Sequence, residues 1–182
     1  MRVNAACTLK YGSICCLLLL LMGCNRAPLP APQQPRPQQQ IATADRIVVE
    51  KSNHQLHLQS RGRTFRSYRI ALGPHPQGHK QREGDGRTPE GIYRIDYRNP
   101  HSAYHRSLHI SYPSATDRQQ AAAIGVKPGS DIMIHGLGSQ FASIGKLHIT
   151  TDWTLGCIAV TNDEIEEIWK LVPNGTIIEI KP

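Results

Sequence analysis

From Arg46 onward the chain alternates apolar and polar positions in short runs divided by turn-forming residues. Residues 47–50, 55–59 and 64–71 are β-leaning segments separated by Ser52-Asn53 and Arg61-Gly62, a pattern that predicts a β-meander. Residues 91–97 and 108–112 follow as strands, the second closed by Pro113, with a polar stretch at 99–106 between them. Two short apolar runs, 132–134 and 158–160, and a terminal run, 176–180, complete the strand set. Two segments instead carry helix signals. Residues 114–124 begin at Ser114, a good cap, include Ala121, Ala122 and Ala123, and stop at Gly125. Residues 163–172 are entered through Thr161-Asn162, and Asp163, Glu164, Glu166 and Glu167 in the early turns suit the positive end of the helix dipole. Ile165, Ile168, Trp169 and Val172 recur at helical spacing and make one buried stripe, so those acids form a solvated face rather than a catalytic pair. Seven or eight strands against two short helices predict a mainly β fold, a sandwich or barrel with the helices packed on it.

The first 45 residues have another texture. Arg2 and Lys10 precede an apolar run at 14–22, too short to span a bilayer comfortably, and a small residue, Gly23, stands before Cys24. This is an export signal. Leu21, Gly23 and Cys24 resemble the bacterial lipoprotein signal, which implies a signal peptide over 1–23 and lipidation at Cys24; an ordinary cleaved signal peptide is the alternative. Residues 25–40 hold five prolines and a run of glutamines, an extended spacer reaching roughly 50 Å at about 3.1 Å per residue. The expected organisation is therefore 1–23 signal, 24–45 lipidated cysteine and linker, and 46–182 a single exported domain held to the membrane by that anchor. Loss of Arg2 and Lys10 with the leader takes the formal charge from +7 to +5, which suits an anionic wall polymer or a peptide carboxylate. Nucleic acid is not an expected partner, since no aromatic-basic recognition motif is present.

Of the five cysteines, Cys7, Cys15 and Cys16 leave with the leader and Cys24 is the anchor, so Cys157 stands alone. A lone exported cysteine is either buried and inert or kept for its chemistry. The neighbours favour chemistry. His135-Gly136 and Gly156-Cys157 face each other across a 22-position connection between the 132–134 and 158–160 strands, longer than a structureless loop usually runs without a functional reason. A thiol beside an imidazole is a nucleophile with a base at hand, suited to an electrophilic carbonyl. Gly156 lets the backbone turn tightly enough to aim N–H donors, including that of Cys157, at a developing oxyanion, and Gly136 leaves space beside the base.

Other candidates are weaker. Lys80, Arg82 and Arg87 lie in the Gly- and Pro-rich loop at 72–90, whose glycines and prolines either only shape a turn or belong to a mobile loop that lines a cleft for an acidic peptide. His148 is a secondary candidate near the donor, or an exposed loop residue. His54 and His57 read as surface side chains. His101, His105 and His109 recur every four residues, but Pro100 and the extended Leu108-His109-Ile110 keep them from sharing a helix face. A metal held by His135, His148 and Cys157 lacks any closely spaced ligand pair, so neither metal nor other cofactor is expected. Since neither His135 nor Cys157 belongs to an apolar stripe, replacing either is expected to leave the fold intact.

Ile134-His135-Gly136 followed by Thr154-Leu155-Gly156-Cys157-Ile158 resembles the signature of the L,D-transpeptidase (YkuD-type) catalytic domain, an upstream His and a Ser/Thr-x-Gly-Cys loop. Leu72-Gly73, Thr88-Pro89-Glu90-Gly91-Ile92-Tyr93, Asp152-Trp153-Thr154 and Asn162-Asp163-Glu164-Ile165 extend the resemblance over the domain. One position departs: many members carry His two residues before the Cys, where this chain has Leu155, as in a group of the family lacking that His. The resemblance implies a peptidoglycan stem peptide attacked by Cys157 between diaminopimelate and D-Ala, with His135 moving the proton and Gly156, Thr154 and Gly136 supporting the loop. It also implies a thioester passed to an amine or to water. A wall hydrolase or amidase of the same mechanism, or a non-catalytic peptidoglycan-binding lipoprotein, are the alternatives.

Overall fold

The fold is seen in a computed structural model that describes residues 42–182. Strands β1 (Arg46–Glu50), β2 (Gln55–Ser60) and β3 (Arg63–Arg69) form the predicted antiparallel meander. Strand β4 (Gly91–Ser102) runs well past Tyr97 into the polar Asn99-Pro100-His101 stretch. It does so because β5 (His105–Ile110) folds back along it with a bulged register, and the ladder sustains the strand where composition alone would end it. Strands β6 (Met133–His135), β7 (Ile158–Ala159) and β8 (Ile177–Lys181) follow.

The strand order is β3-β2-β1-β8-β4-β5-β6-β7. The last strand in sequence thus sits near the middle, parallel to β1 and antiparallel to the start of β4. Beyond Arg94, β4 exchanges β8 for β5 as its partner, so one long strand belongs to both halves of the sheet. Its two outer ends also meet. Ala71, just past β3, exchanges N–H···O bonds of 3.0 and 2.9 Å with Ala159 of β7. The curled sheet encloses one core, to which Ile47, Leu56 and Leu58 contribute from one half and Leu108, Ile110, Ile134 and Ile158 from the other.

Helix α1 (Ala115–Ala123) starts at the predicted Ser114, whose hydroxyl accepts the Asp117 N–H while the Asp117 carboxylate accepts the Ser114 N–H. Helix α2 (Asn162–Leu171) is capped the same way by Thr161 and Glu164, so it opens one residue earlier than expected. Ile165, Ile168 and Val172 are fully buried and Trp169 partly so, as the stripe predicted.

Three expectations change. The connection between β6 and β7 is not structureless: a 3-10 segment, Ala142–Thr150, kinked at Gly145, occupies it. The 72–90 loop is fastened rather than loose, since the Lys51 ammonium, 2% exposed, donates to Gly78 O (2.7 Å), Thr88 O (3.1 Å) and Glu90 Oε1 (2.7 Å). The folded domain reaches back to Ala44, which is buried and donates its N–H to Leu171 O at 2.8 Å, two residues before the expected boundary. The signal peptide, the Cys24 anchor and most of the linker lie outside the described residues. Among the described residues no helix is long and apolar enough to cross a membrane.

Candidate active site

Parallel pairing of β6 with β7 brings the two ends of the long connection together, with Ile134 opposite Ile158 and His135 opposite Ala159. Extended back one residue, that register sets Cys157 across from Met133 and, by the two-residue alternation of strands, on the face that carries His135. Both line one cavity of about 490 Å³, shared with Lys80, Glu83, Tyr104, Asp131, Trp153, Thr154 and Leu155.

His135 is 4% exposed. Its Nδ1 lies 2.6 Å from Gly136 O. A carbonyl oxygen only accepts, so Nδ1 carries the proton and Nε2 presents its lone pair, the tautomer of a base. Tyr104 stacks on the ring at 4.5 Å between centroids, and Trp153 meets it edge-on at 5.8 Å. Burial holds His135 below the ordinary imidazole range; the bond to Gly136 opposes that shift and the nearby His148 adds to it. Burial likewise pushes the Cys157 thiol up, with a Met133 backbone hydrogen bond and the Lys80 charge opposing and Asp131 reinforcing. The Cys157 Sγ donates to Asp131 O at 3.4 Å. Both shifts favour the neutral forms, imidazole at His135 and thiol at Cys157.

The turn before Cys157 is pinned by Thr154. The buried Thr154 hydroxyl donates to Cys157 O at 2.8 Å and accepts the Gly156 N–H at 3.2 Å, while the Thr154 N–H donates to Leu72 O at 2.9 Å. The Gly156 N–H is thereby engaged within the turn. Gly156 itself has φ +119, and a Cβ there would overlap the Arg87 carbonyl oxygen. Gly136 does not open space beside the base as expected: a Cβ would fall 2.5 Å from Asn162 Oδ1 and 3.1 Å from Ile165 Cγ2, so its bareness admits α2 instead.

His148 is not an exposed loop residue. It is 3% exposed within the 3-10 segment, and neither ring nitrogen has a partner among the described residues. Burial lowers its pKa, against the pull of Glu164. Lys80 reaches the cavity, but Arg82 and Arg87 line a separate one of about 390 Å³ with His75 and Asp85. Leu155 stands at the mouth, 81% exposed. His101, His105 and His109 do not converge: His105 pairs with Glu166 at 2.9 Å and His109 with Asp96 at 2.6 Å. Among the described residues no cluster of three or more His, Cys, Asp or Glu is placed to hold a metal.

Four contributors went unassigned in the sequence. Tyr104 and Trp153 wall the His135 ring. Asn162 Oδ1 accepts the Leu137 N–H at 2.8 Å, fixing the chain just past His135. Asp152 accepts the Leu72 N–H at 2.8 Å and pairs with His54 at 2.9 Å, tying the segment before Cys157 to the β1–β2 connection. Asp152, Trp153 and Asn162 have a signal in the segments that carry the family resemblance, though no role is read from it; Tyr104 carries none.

The family model described as the L,D-transpeptidase catalytic domain, YkuD, matches residues 44–180. Among curated proteins, YafK of Escherichia coli (strain K12), assigned as an L,D-transpeptidase, is 34% identical over 113 residues, which cover 61% of this chain and 38% of YafK. The chain thus spans less than two fifths of the length of the curated relatives it matches. Among solved structures, the helical cell shape determining protein Pgp2 from Campylobacter jejuni superposes with a TM-score of 0.58 at 23% identity, over 75% of this chain and 48% of that one. The L,D-transpeptidase from Xylanimonas cellulosilytica gives 0.52 at 18% identity, over 81% and 64%. At these identities the two structures speak for the fold.

Proposed function

The chain belongs to the YkuD family of L,D-transpeptidase catalytic domains, and from that premise we propose that it is a cysteine-dependent L,D-transpeptidase acting on peptidoglycan stem peptides. The observation that carries the reading is that a half-buried thiol, Cys157, and a buried imidazole, His135, with its Nδ1 committed to Gly136 O, line the same cavity. Cys157 Sγ attacks the carbonyl between diaminopimelate and D-Ala as its proton passes to His135 Nε2. The tetrahedral oxyanion is met by backbone donors that include the Cys157 N–H, because Thr154 already holds the Gly156 N–H. His135 then protonates the leaving D-Ala nitrogen, the C–N bond breaks and a thioester remains. An amine acceptor, deprotonated by His135, gives a cross-link; water gives a trimmed peptide. Either way the sulfur leaves as thiolate and recovers its proton.

The Leu155 side chain, at the mouth of the cavity, offers no hydrogen bond to an incoming amine, where many members of the family carry His. This favours keeping hydrolysis or amidase action as a second reading. The two outcomes differ tenfold for only about 1.4 kcal/mol in barrier. The protein works from the periplasm as a monomeric lipoprotein anchored through Cys24, with the 24–45 linker as tether and no cofactor.

Intact-mass labelling with a carbapenem tests the chemistry. A covalent adduct that disappears in Cys157→Ala supports it, while no adduct, or one that persists without Cys157, favours a non-catalytic peptidoglycan-binding protein. Mass spectrometry of muropeptide products then separates the outcomes: cross-linked dimers support transpeptidation, tripeptide alone supports hydrolysis, and release of another wall-linked amine marks an amidase.

A further inference from the structure

Lys80 is 3% exposed and yet lines the cavity that holds Cys157. A buried ammonium needs a partner for its charge and for each of its three N–H groups. Two are accounted for: Nζ donates to Asp85 Oδ1 at 2.8 Å and to Arg82 O at 3.1 Å. The third has no partner among the described residues. Asp85 does not extinguish the charge, because its carboxylate also accepts the N–H groups of Gln81 (2.8 Å), Arg82 (3.1 Å) and Arg87 (3.1 Å). Burial pushes the Asp85 carboxyl up, but the Lys80 bond and these three N–H groups outweigh it and hold its pKa at about 2. Much of that negative charge is therefore matched by backbone dipoles, and the ammonium field extends into the cavity. It is felt at the sulfur, where Lys80 favours the thiolate. Glu83 and Asp131 also line the cavity, but both are solvent-exposed residues at its edge, where screening is strongest.

We propose that Lys80 is the carboxylate-reading residue of this cavity: its spare N–H binds the free C-terminal carboxylate of the residue released when Cys157 is acylated. The inference rests on the transpeptidase reading for the identity of that residue, a D-amino acid whose carboxylate lies three bonds from the carbonyl carbon under attack. A charge-assisted bond there orients the scissile amide over the sulfur and excludes donors whose terminus is an amide. The ammonium also repels a protonated amine, so the acceptor approaches from the Tyr104–Leu155 side of the cavity.

The test needs no turnover. Alkylation of Cys157 in the full chain is followed by peptide mass spectrometry with iodoacetate and with iodoacetamide, two reagents alike except for a carboxylate. The rate ratio of the two is divided by the ratio for 2-mercaptoethanol. The wild type should prefer iodoacetate by about tenfold on this scale. Lys80→Met should bring the ratio to that of the simple thiol, and Asp85→Asn, which keeps the ammonium and removes its counter-charge, should retain or raise it. A wild-type ratio equal to that of the simple thiol overturns the proposal even where Lys80→Met fails to fold. So does a ratio that survives Lys80→Met, or one lost equally in Asp85→Asn, which marks loop architecture rather than charge. A tetrapeptide donor and its C-terminal carboxamide extend the test: faster acylation by the carboxylate, with the difference abolished in Lys80→Met, is expected, and equal rates in the wild type overturn the proposal. If no peptide acylates Cys157 while the iodoacetate preference holds, Lys80 stands as a carboxylate reader and the stem-peptide donor is withdrawn.

Discussion

Replacing Gly156 by alanine tests whether the turn before Cys157 is held as rigidly as its contacts imply. Gly156 has φ +119, a conformation that costs an L-residue about 1–3 kcal/mol. An added Cβ would also overlap the Arg87 carbonyl oxygen, with Arg87 C at 3.3 Å and Ile132 Cδ1 at 3.4 Å. The strain cannot relax toward Thr154, whose hydroxyl and N–H are bonded to Cys157 O, Gly156 N and Leu72 O. It relaxes instead into Cys157, and a shift near 1 Å at a reacting atom costs about 100-fold in rate. Gly175→Ala is the matched control, with φ +88 and nothing within 4 Å of the added Cβ. Both variants should lose about 3–9 °C in Tm at about 3 °C per kcal/mol, Gly156→Ala the more. Only Gly156→Ala should lose activity, read as carbapenem acylation of Cys157 by stopped flow. Acylation by Gly156→Ala within about tenfold of wild type, or an equal loss in Gly175→Ala, would refute the reasoning.

Because burial raises the Cys157 thiol and lowers His135, turnover should be flat through neutral pH and fall on acidification only below the ordinary imidazole value. Iodoacetamide alkylation should gain its thiolate limb above the ordinary thiol value; an alkylation midpoint below neutrality would instead show a preformed thiolate–imidazolium pair. Stability should also fall in acid. His135 and His148 are both depressed in the fold, so below about pH 6.5 the unfolded chain binds more protons, and each histidine removes up to about 1.4 kcal/mol per pH unit. Urea unfolding at two pH values, with His148→Gln flattening the slope, checks this; equal stability at both counts against it. Lys51→Met strands Glu90 and the carbonyls of Gly78 and Thr88, which should cost about 3–5 kcal/mol and about 10 °C in Tm; calorimetry showing under about 3 °C would mean the tether bears little of the loop. Cys157→Ser should abolish turnover without lowering Tm. His135→Ala should abolish turnover and lower Tm as well, since the ring is packed between Tyr104 and Trp153 and its removal leaves a cavity; unchanged melting of that variant would count against the packing.

The sequence by itself determined the local elements and singled out His135 and Cys157 as the candidates for the chemistry. Ser114 and Thr161 begin the helices because a side-chain oxygen can satisfy the first free N–H groups whatever the rest of the chain does. The stripe from Ile165 to Val172 buries because its spacing defines one face. His135 and Cys157 were legible because each sits beside a glycine at the edge of an apolar run. What the pattern could not specify was partnership, since alternation says which side chains share a face but not which strand lies alongside. The insertion of β8 between β1 and β4, the parallel register of β6 with β7, and the survival of β4 through its polar stretch are decided by hydrogen bonds between distant segments. The same holds for polar residues, whose identity predicts exposure until a specific partner offsets desolvation. Lys51 and Lys80 are buried because three acceptors and an aspartate, respectively, are brought to them. Arg82 and Arg87, two and seven residues beyond Lys80, turn to another cavity because the Asp85 turn faces their backbones, not their guanidinium groups, toward its carboxylate. His148 is buried although it lies in the connection between β6 and β7, a packing outcome that no spacing in the sequence encodes.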